Sequence, residues 1–207
     1  MFLWFYFISL VPSVVVHEVS HGWVANYFGD PTAKEQHRLT LNPLRHIDLF
    51  GTILMPGLLV LSGLPAFGYA KPVPVSLGRL RRPRQQALWV ALAGPAVNVV
   101  LSFIGYEIGE YAIHVAHSSE LLTFGVAFGL VNLVLAVFNL LPIPPLDGSA
   151  MIERFLPTRS LPRYYQFRAR ALPFFFLFII VDFSFLHVGT NFLNDLETWW
   201  LNHLLGS

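Results

Sequence analysis

Two histidines and a glutamate interrupt the apolar run VVVHEVSHGW, residues 14 to 23. His17 and His21 are four apart, so on a helix they share one face. Two imidazoles placed that way can both reach one tetrahedral metal ion. Glu18 adjoins the first of them and is placed to take a proton from a water at that metal. The chemistry implied by this H-E-x-x-H pattern is metal-assisted hydrolysis. The competing reading is a pair of hydrogen-bonded helix histidines with a glutamate reaching toward the membrane surface. Ionisable groups are costly inside an apolar span and tend to be functional there, which favours the first reading.

A hydrolytic zinc site needs a third protein ligand and an open fourth position. The extended pattern H-E-x-x-H-x-x-G-x-x-H is absent, because Val24 and Tyr27 occupy its last two key places. Glu35 is near but sits in a polar loop. Asp147, in FNLLPIPPLDGS, is the better candidate, since no other carboxylate lies between Glu120 and Glu153. It follows Pro142, Pro144 and Pro145, which must end the preceding helix. An ordinary helix-end turn is the alternative for Asp147-Gly148. The chain has no cysteine, so a metal must be held by His, Asp or Glu, and no disulfide can form. His114, His117, His187 and His203 lack ligand spacing with a carboxylate, and His46 and Asp48 are expected to shape a loop entering the membrane.

These residues must be positioned by membrane helices. The 207-residue chain is 55% hydrophobic and 12% charged, with mean hydropathy +0.58. A soluble domain carries about 25% charged residues. The net charge of +1 implies no nucleic acid or other polyanionic partner. Phe2 to Phe28 reads as a mature membrane helix rather than a cleaved leader, because it lacks a basic n-region and an A-x-A-like site. Gln85 to Tyr106, Leu121 to Leu146 and Ala171 to about Asn191 read as further spans. Leu49 to Ala70 is uncharged but broken by glycine and proline, which suits a re-entrant segment or a span with an extended return. Residues 67 to 75, FGYAKPVPV, have edge-strand character. The tail suits an interfacial helix.

The expected fold is therefore an all-α membrane protein. It is a polytopic helical bundle of about four to six transmembrane segments, with a Gly/Pro-rich re-entrant or short membrane segment and a small β-hairpin. Residues 1–207 form one domain, with a core at 1–155 and a C-terminal membrane helix and tail at 156–207. Every lysine and arginine lies in three stretches, 34–45, 71–84 and 154–170, while Glu107 to Glu120 has none. The positive-inside rule then places the N-terminus outside and puts His17 and Asp147 toward the cytoplasmic side.

Four motifs, taken together, resemble the site-2 protease family, the peptidase M50-like zinc-dependent intramembrane metalloproteases. They are HEVSH, LNPLRHIDLFGT (41–52), AGPAVN (93–98) and NLLPIPPLDG (139–148), in that family's order. The resemblance implies one Zn2+ per chain held by His17, His21 and Asp147, with Glu18 as catalytic base. It puts Asn98 near the substrate or the oxyanion. Asn139 is a second residue of that kind, with a structural bond at the proline break as the competing reading. The chain looks like a minimal member without a PDZ-like or nucleotide-sensing CBS domain. The implied partners are a transmembrane-helix protein substrate and the lipid bilayer, in the plasma membrane of a prokaryote. An unwound substrate could add to an edge strand at 67–75. A metal transporter is the rival that Glu18 argues against, since transport needs no base beside the ligands. An inert helix-binding scaffold is the rival that the four polar residues together argue against.

Overall fold

In the computed structural model, which describes residues 2–62 and 68–206, the chain is built from helices. Helix α1 (Phe2–Tyr27) runs for 26 residues, about 39 Å at 1.5 Å per residue. It ends at Gly29, whose φ of 105° needs a glycine. Short α2 (Thr32–Glu35) follows, with the Thr32 amide donating to the Asp30 carboxylate at 3.1 Å. Asp48 then accepts from the amides of Phe50 (3.1 Å) and Gly51 (2.7 Å) and so starts a π-helical turn at Leu49–Leu54. That turn continues into α3 (Met55–Leu61). Helices α4 (Pro83–Tyr111), α5 (Ser119–Leu140), α6 (Ser149–Phe155), α7 (Leu161–Val181) and α8 (Val188–Leu205) complete the order.

The chain divides into two compact units, residues 14–94 and residues 1–13 with 95–207. The division falls inside α1 and α4. In the 14–94 unit, Ala25, Leu80, Ala87 and Val90 form a buried core, with Phe28, Val75 and Leu77 packed around it. In the other unit, glycines let α4 and α5 approach closely. A Cβ on Gly105 would strike the Gly129 backbone, and one on Gly125 would stand 2.8 Å from the Gly109 amide nitrogen. Small residues at helix crossings are the usual way to pack in lipid. Trp200 and Leu204 of α8 bury against Leu130 of α5.

Among the described residues, three stretches are long and apolar enough to cross a membrane: Pro83–Ala116, Ser119–Leu140 and Thr158–Leu186. They expose large apolar side chains, including Val99, Val100, Phe103, Phe174, Leu177 and Phe178. That pattern fits lipid contact. The apolar helix Leu49–Leu61 is shorter.

Three sequence expectations are revised. The last span begins near residue 160, not at Ala171. Pro162 sits at the first turn, where its missing N–H costs nothing, and the arginines at 163, 168 and 170 hid the helix from a hydropathy reading. The third span stops at Leu140, six residues before the expected end, because the chain folds back there. No strand occurs among the described residues, although Phe67 and the preceding four residues lie outside them. Residues 68–76 run without helix and bond through single backbone groups to loops and side chains, a consequence of Pro72 and Pro74 having no amide hydrogen.

Candidate metal centre

His17 and His21 lie one helical turn apart on α1 and are both buried. Their rings meet edge to face, with centroids 4.8 Å apart. Pro95 has no N–H, so the Ala91 carbonyl one turn earlier loses its ladder partner. In that turn the Val90 carbonyl lies 2.7 Å from His21 Nδ1. A carbonyl can only accept, so Nδ1 donates and the lone pair of His21 is left on Nε2. Gly94 marks where the two rings converge. A Cβ there would stand 2.5 Å from His17 Nε2 and 2.5 Å from His21 Nε2. Only a glycine leaves that space open.

Glu18 is half-buried beside them. Its Oε2 accepts from the Val73 amide at 2.8 Å. Ser20 Oγ donates to the His17 carbonyl at 2.6 Å, within the helix.

Asp147 lies in the turn between α5 and α6. The turn closes when the Gly148 amide donates to the Asn139 carbonyl at 2.7 Å. Gly148 is pressed against the Leu140 and Leu141 carbonyls, where a Cβ would not fit. His17 and His21 present two imidazole nitrogens to one point beside Gly94, and Asp147 carries a carboxylate in the turn before α6. Two imidazole nitrogens and a carboxylate oxygen are a donor set that zinc accepts, with a fourth position for water or substrate.

Asn98, on α4, is fully buried and donates from Nδ2 to Asn132 Oδ1 at 2.7 Å. Asn132, on α5, is not among the residues the sequence singles out, although an amide in an apolar helix is the available signal. Its own Nδ2 donates to the Phe128 carbonyl (2.8 Å) and to Ser13 Oγ (2.9 Å). Ser13 Oγ in turn donates to the Ser9 carbonyl at 2.7 Å. Because the Phe128 carbonyl can only accept, it fixes which way both amides point. Asn139 uses its Nδ2 on the Leu135 carbonyl of its own helix, at 2.9 Å.

The remaining polar candidates lie elsewhere. His46 Nε2 bonds the Thr40 carbonyl at 2.9 Å, and its own carbonyl accepts from the Lys71 amide, so it ties loops together. Glu35 pairs with Arg79 at 2.6 Å and His114 lies 3.4 Å from Glu110. Asp182 accepts from the amides of Val188 and Gly189 at 3.0 Å each and of Thr190 at 3.2 Å. It starts α8.

The chain is similar to known proteins. The model of the family described as Peptidase family M50 matches residues 5–115 and 107–181. A Bacillus subtilis protein named "Putative zinc metalloprotease YwhC" is 44% identical over 156 residues, 72% of this chain and 68% of that protein. The Rip2 proteins of Mycolicibacterium smegmatis and Mycobacterium tuberculosis H37Rv carry the same description. They are 32% and 33% identical over 70% and 83% of this chain. The matched regions span 54% and 63% of those two relatives. No solved structure matches the chain.

Proposed function

Because the chain belongs to peptidase family M50, we propose that it is a zinc-dependent intramembrane endopeptidase, hydrolysing peptide bonds in or near the transmembrane helices of membrane proteins. The observation that carries this reading is the convergence of the His17 and His21 Nε2 atoms on the space beside Gly94, with Glu18 following His17 in the chain. Inside an apolar helix such a grouping has no structural use that a pair of leucines would not serve better.

His17, His21 and Asp147 would hold the metal. When bound, zinc supplies Lewis acidity, polarising the scissile carbonyl and acidifying a water. The steps belonging to the chain follow from its own groups. Glu18 takes the proton from the attacking water and delivers it to the departing amine nitrogen. The Val90 carbonyl keeps His21 in the tautomer with Nε2 available. Asn98, held by Asn132, is assigned to the substrate or to the oxygen that gains negative charge. Asn139 is assigned to the turn that carries Asp147.

The membrane part of the proposal adds α1 as a fourth span beside the three apolar stretches. It reads Leu49–Leu61 as a segment that enters without crossing, with residues 68–76 as its return. The basic stretches 34–45, 71–84 and 154–170 support a site toward the cytoplasmic side under the positive-inside rule, and a prokaryotic plasma membrane is part of the proposal.

The test is a co-expression screen of tagged single-span membrane proteins with wild type and Glu18→Gln. Cleavage by wild type and loss of about 10²- to 10⁴-fold in the variant supports the proposal. Equal cleavage by both would remove Glu18 from the mechanism.

A further inference from the structure

The stretch Lys71-Pro72-Val73-Pro74 crosses α1 at Glu18. Prolines on both sides leave Val73 with the lone amide hydrogen between Lys71 and Val75. That hydrogen goes to Glu18 Oε2 at 2.8 Å. Gly22, one turn after Glu18 on the same face, lets the strap lie this close. A Cβ on it would stand 2.7 Å from Val73 Cγ1 and 2.5 Å from Leu39 Cδ2.

The strap is held along its length. The Lys71 amide donates to the His46 carbonyl at 2.8 Å, and the Ser76 amide donates to Asp30 Oδ2 at 2.6 Å. Arg38 secures the centre. Its guanidinium is buried, and Nη2 donates to the carbonyls of Lys71 (2.8 Å) and Pro72 (3.3 Å). Burying an arginine is expensive, and Nε has no hydrogen-bond partner. A cation spent on two carbonyls next to a proline-flanked amide is a costly way to hold an ordinary loop. It is a reasonable way to hold one N–H at a fixed point.

We propose that Arg38 and the Val73 N–H are positioning groups for Glu18. Arg38 fixes the two peptide units before Val73, the Val73 N–H fixes Oε2, and the carboxylate is thereby left with Oε1 to take the proton. The inference rests on the reading of Glu18 as the base. An unrestrained glutamate samples many rotamers, and a misplacement of about 1 Å costs about a hundredfold in rate. The same contact gives the return segment a role at the base, whether or not it also meets substrate.

The test uses the full chain, zinc-loaded in detergent, with fluorescein-labelled casein as the probe. Val73→Pro removes the N–H, Val73→Ala keeps it, and Arg38→Ala frees the strap. Val73→Pro and Arg38→Ala are expected to lose about 10- to 100-fold in kcat, with KM and zinc content unchanged. Val73→Ala should stay far closer to wild type than Val73→Pro. A rise in KM with kcat retained would overturn the proposal and make the strap a substrate edge instead. A second arm needs no substrate: amide deuterium uptake at 71–74, where only Lys71 and Val73 carry exchangeable backbone hydrogens. Glu18→Ala should speed exchange there, and an unchanged rate would refute the contact. Casein hydrolysis by Glu18→Gln at the wild-type rate would instead refute the reading of Glu18 as the base, and the positioning role with it.

Discussion

Gly94 of α4 and His17 of α1 are so close that a methyl group on the glycine would stand 2.5 Å from the imidazole's Nε2, well inside van der Waals contact. His21 Nε2 meets the same point. The glycine is therefore as much a part of the proposed centre as the residues proposed to hold the metal, although it offers no donor.

Gly94→Ala should consequently remove metal without removing the fold. Helix packing elsewhere is untouched, and the far-ultraviolet circular dichroism should be that of wild type. Zinc affinity is expected to fall about 10- to 100-fold or more, the scale seen when groups that orient ligands are disturbed. Competition with a chromophoric chelator reads it directly.

The Asn98–Asn132 pair gives a prediction about stability. Either residue changed to alanine leaves a buried amide without its partner, at a cost of about 1–3 kcal/mol. Changing both should cost less than the sum of the two. The coupling between polar side chains in membrane helices is about 0.6 kcal/mol and at most about 1.7. Unfolding in mixed micelles on the four proteins measures it, and strict additivity would show that the two amides act separately.

Gly148→Ala tests the turn that carries Asp147. The added carbon meets the Leu140 carbonyl oxygen and stands 2.5 Å from that of Leu141, so the α5–α6 turn must open. Zinc content should fall as it does for a ligand variant, even though residue 147 is unchanged. Full zinc retention would separate the turn's geometry from metal binding.

Much of this was legible beforehand, and the reasons are physical. Motif residues carry rare chemistry at fixed spacing, so His17, Glu18, His21 and Asp147 stand out against an apolar background. Long uncharged runs similarly announce α4 and α5. What could not be read were the partners supplied by backbone and by shape. The Val90 carbonyl and the Val73 amide have no residue signature, and Gly94 looks like any small residue until both rings are seen beside it. Arg38 looked like one of several loop cations. The start of α7 was hidden by arginines that sit on a helix without ending it. The expected strand is not formed in residues 68–76, where the amides of Tyr69, Lys71, Val73 and Ser76 go singly to Gly51, His46, Glu18 and Asp30.

The central claim is that His17, His21 and Asp147 hold one zinc ion and that Glu18 does not. Metal analysis of detergent-purified wild type, Glu18→Gln, His21→Ala and Asp147→Ala tests it without any substrate. The account expects about one zinc per chain in wild type and Glu18→Gln, and little in the other two. A wild type without zinc, or an Asp147→Ala protein that keeps it fully, would contradict the account.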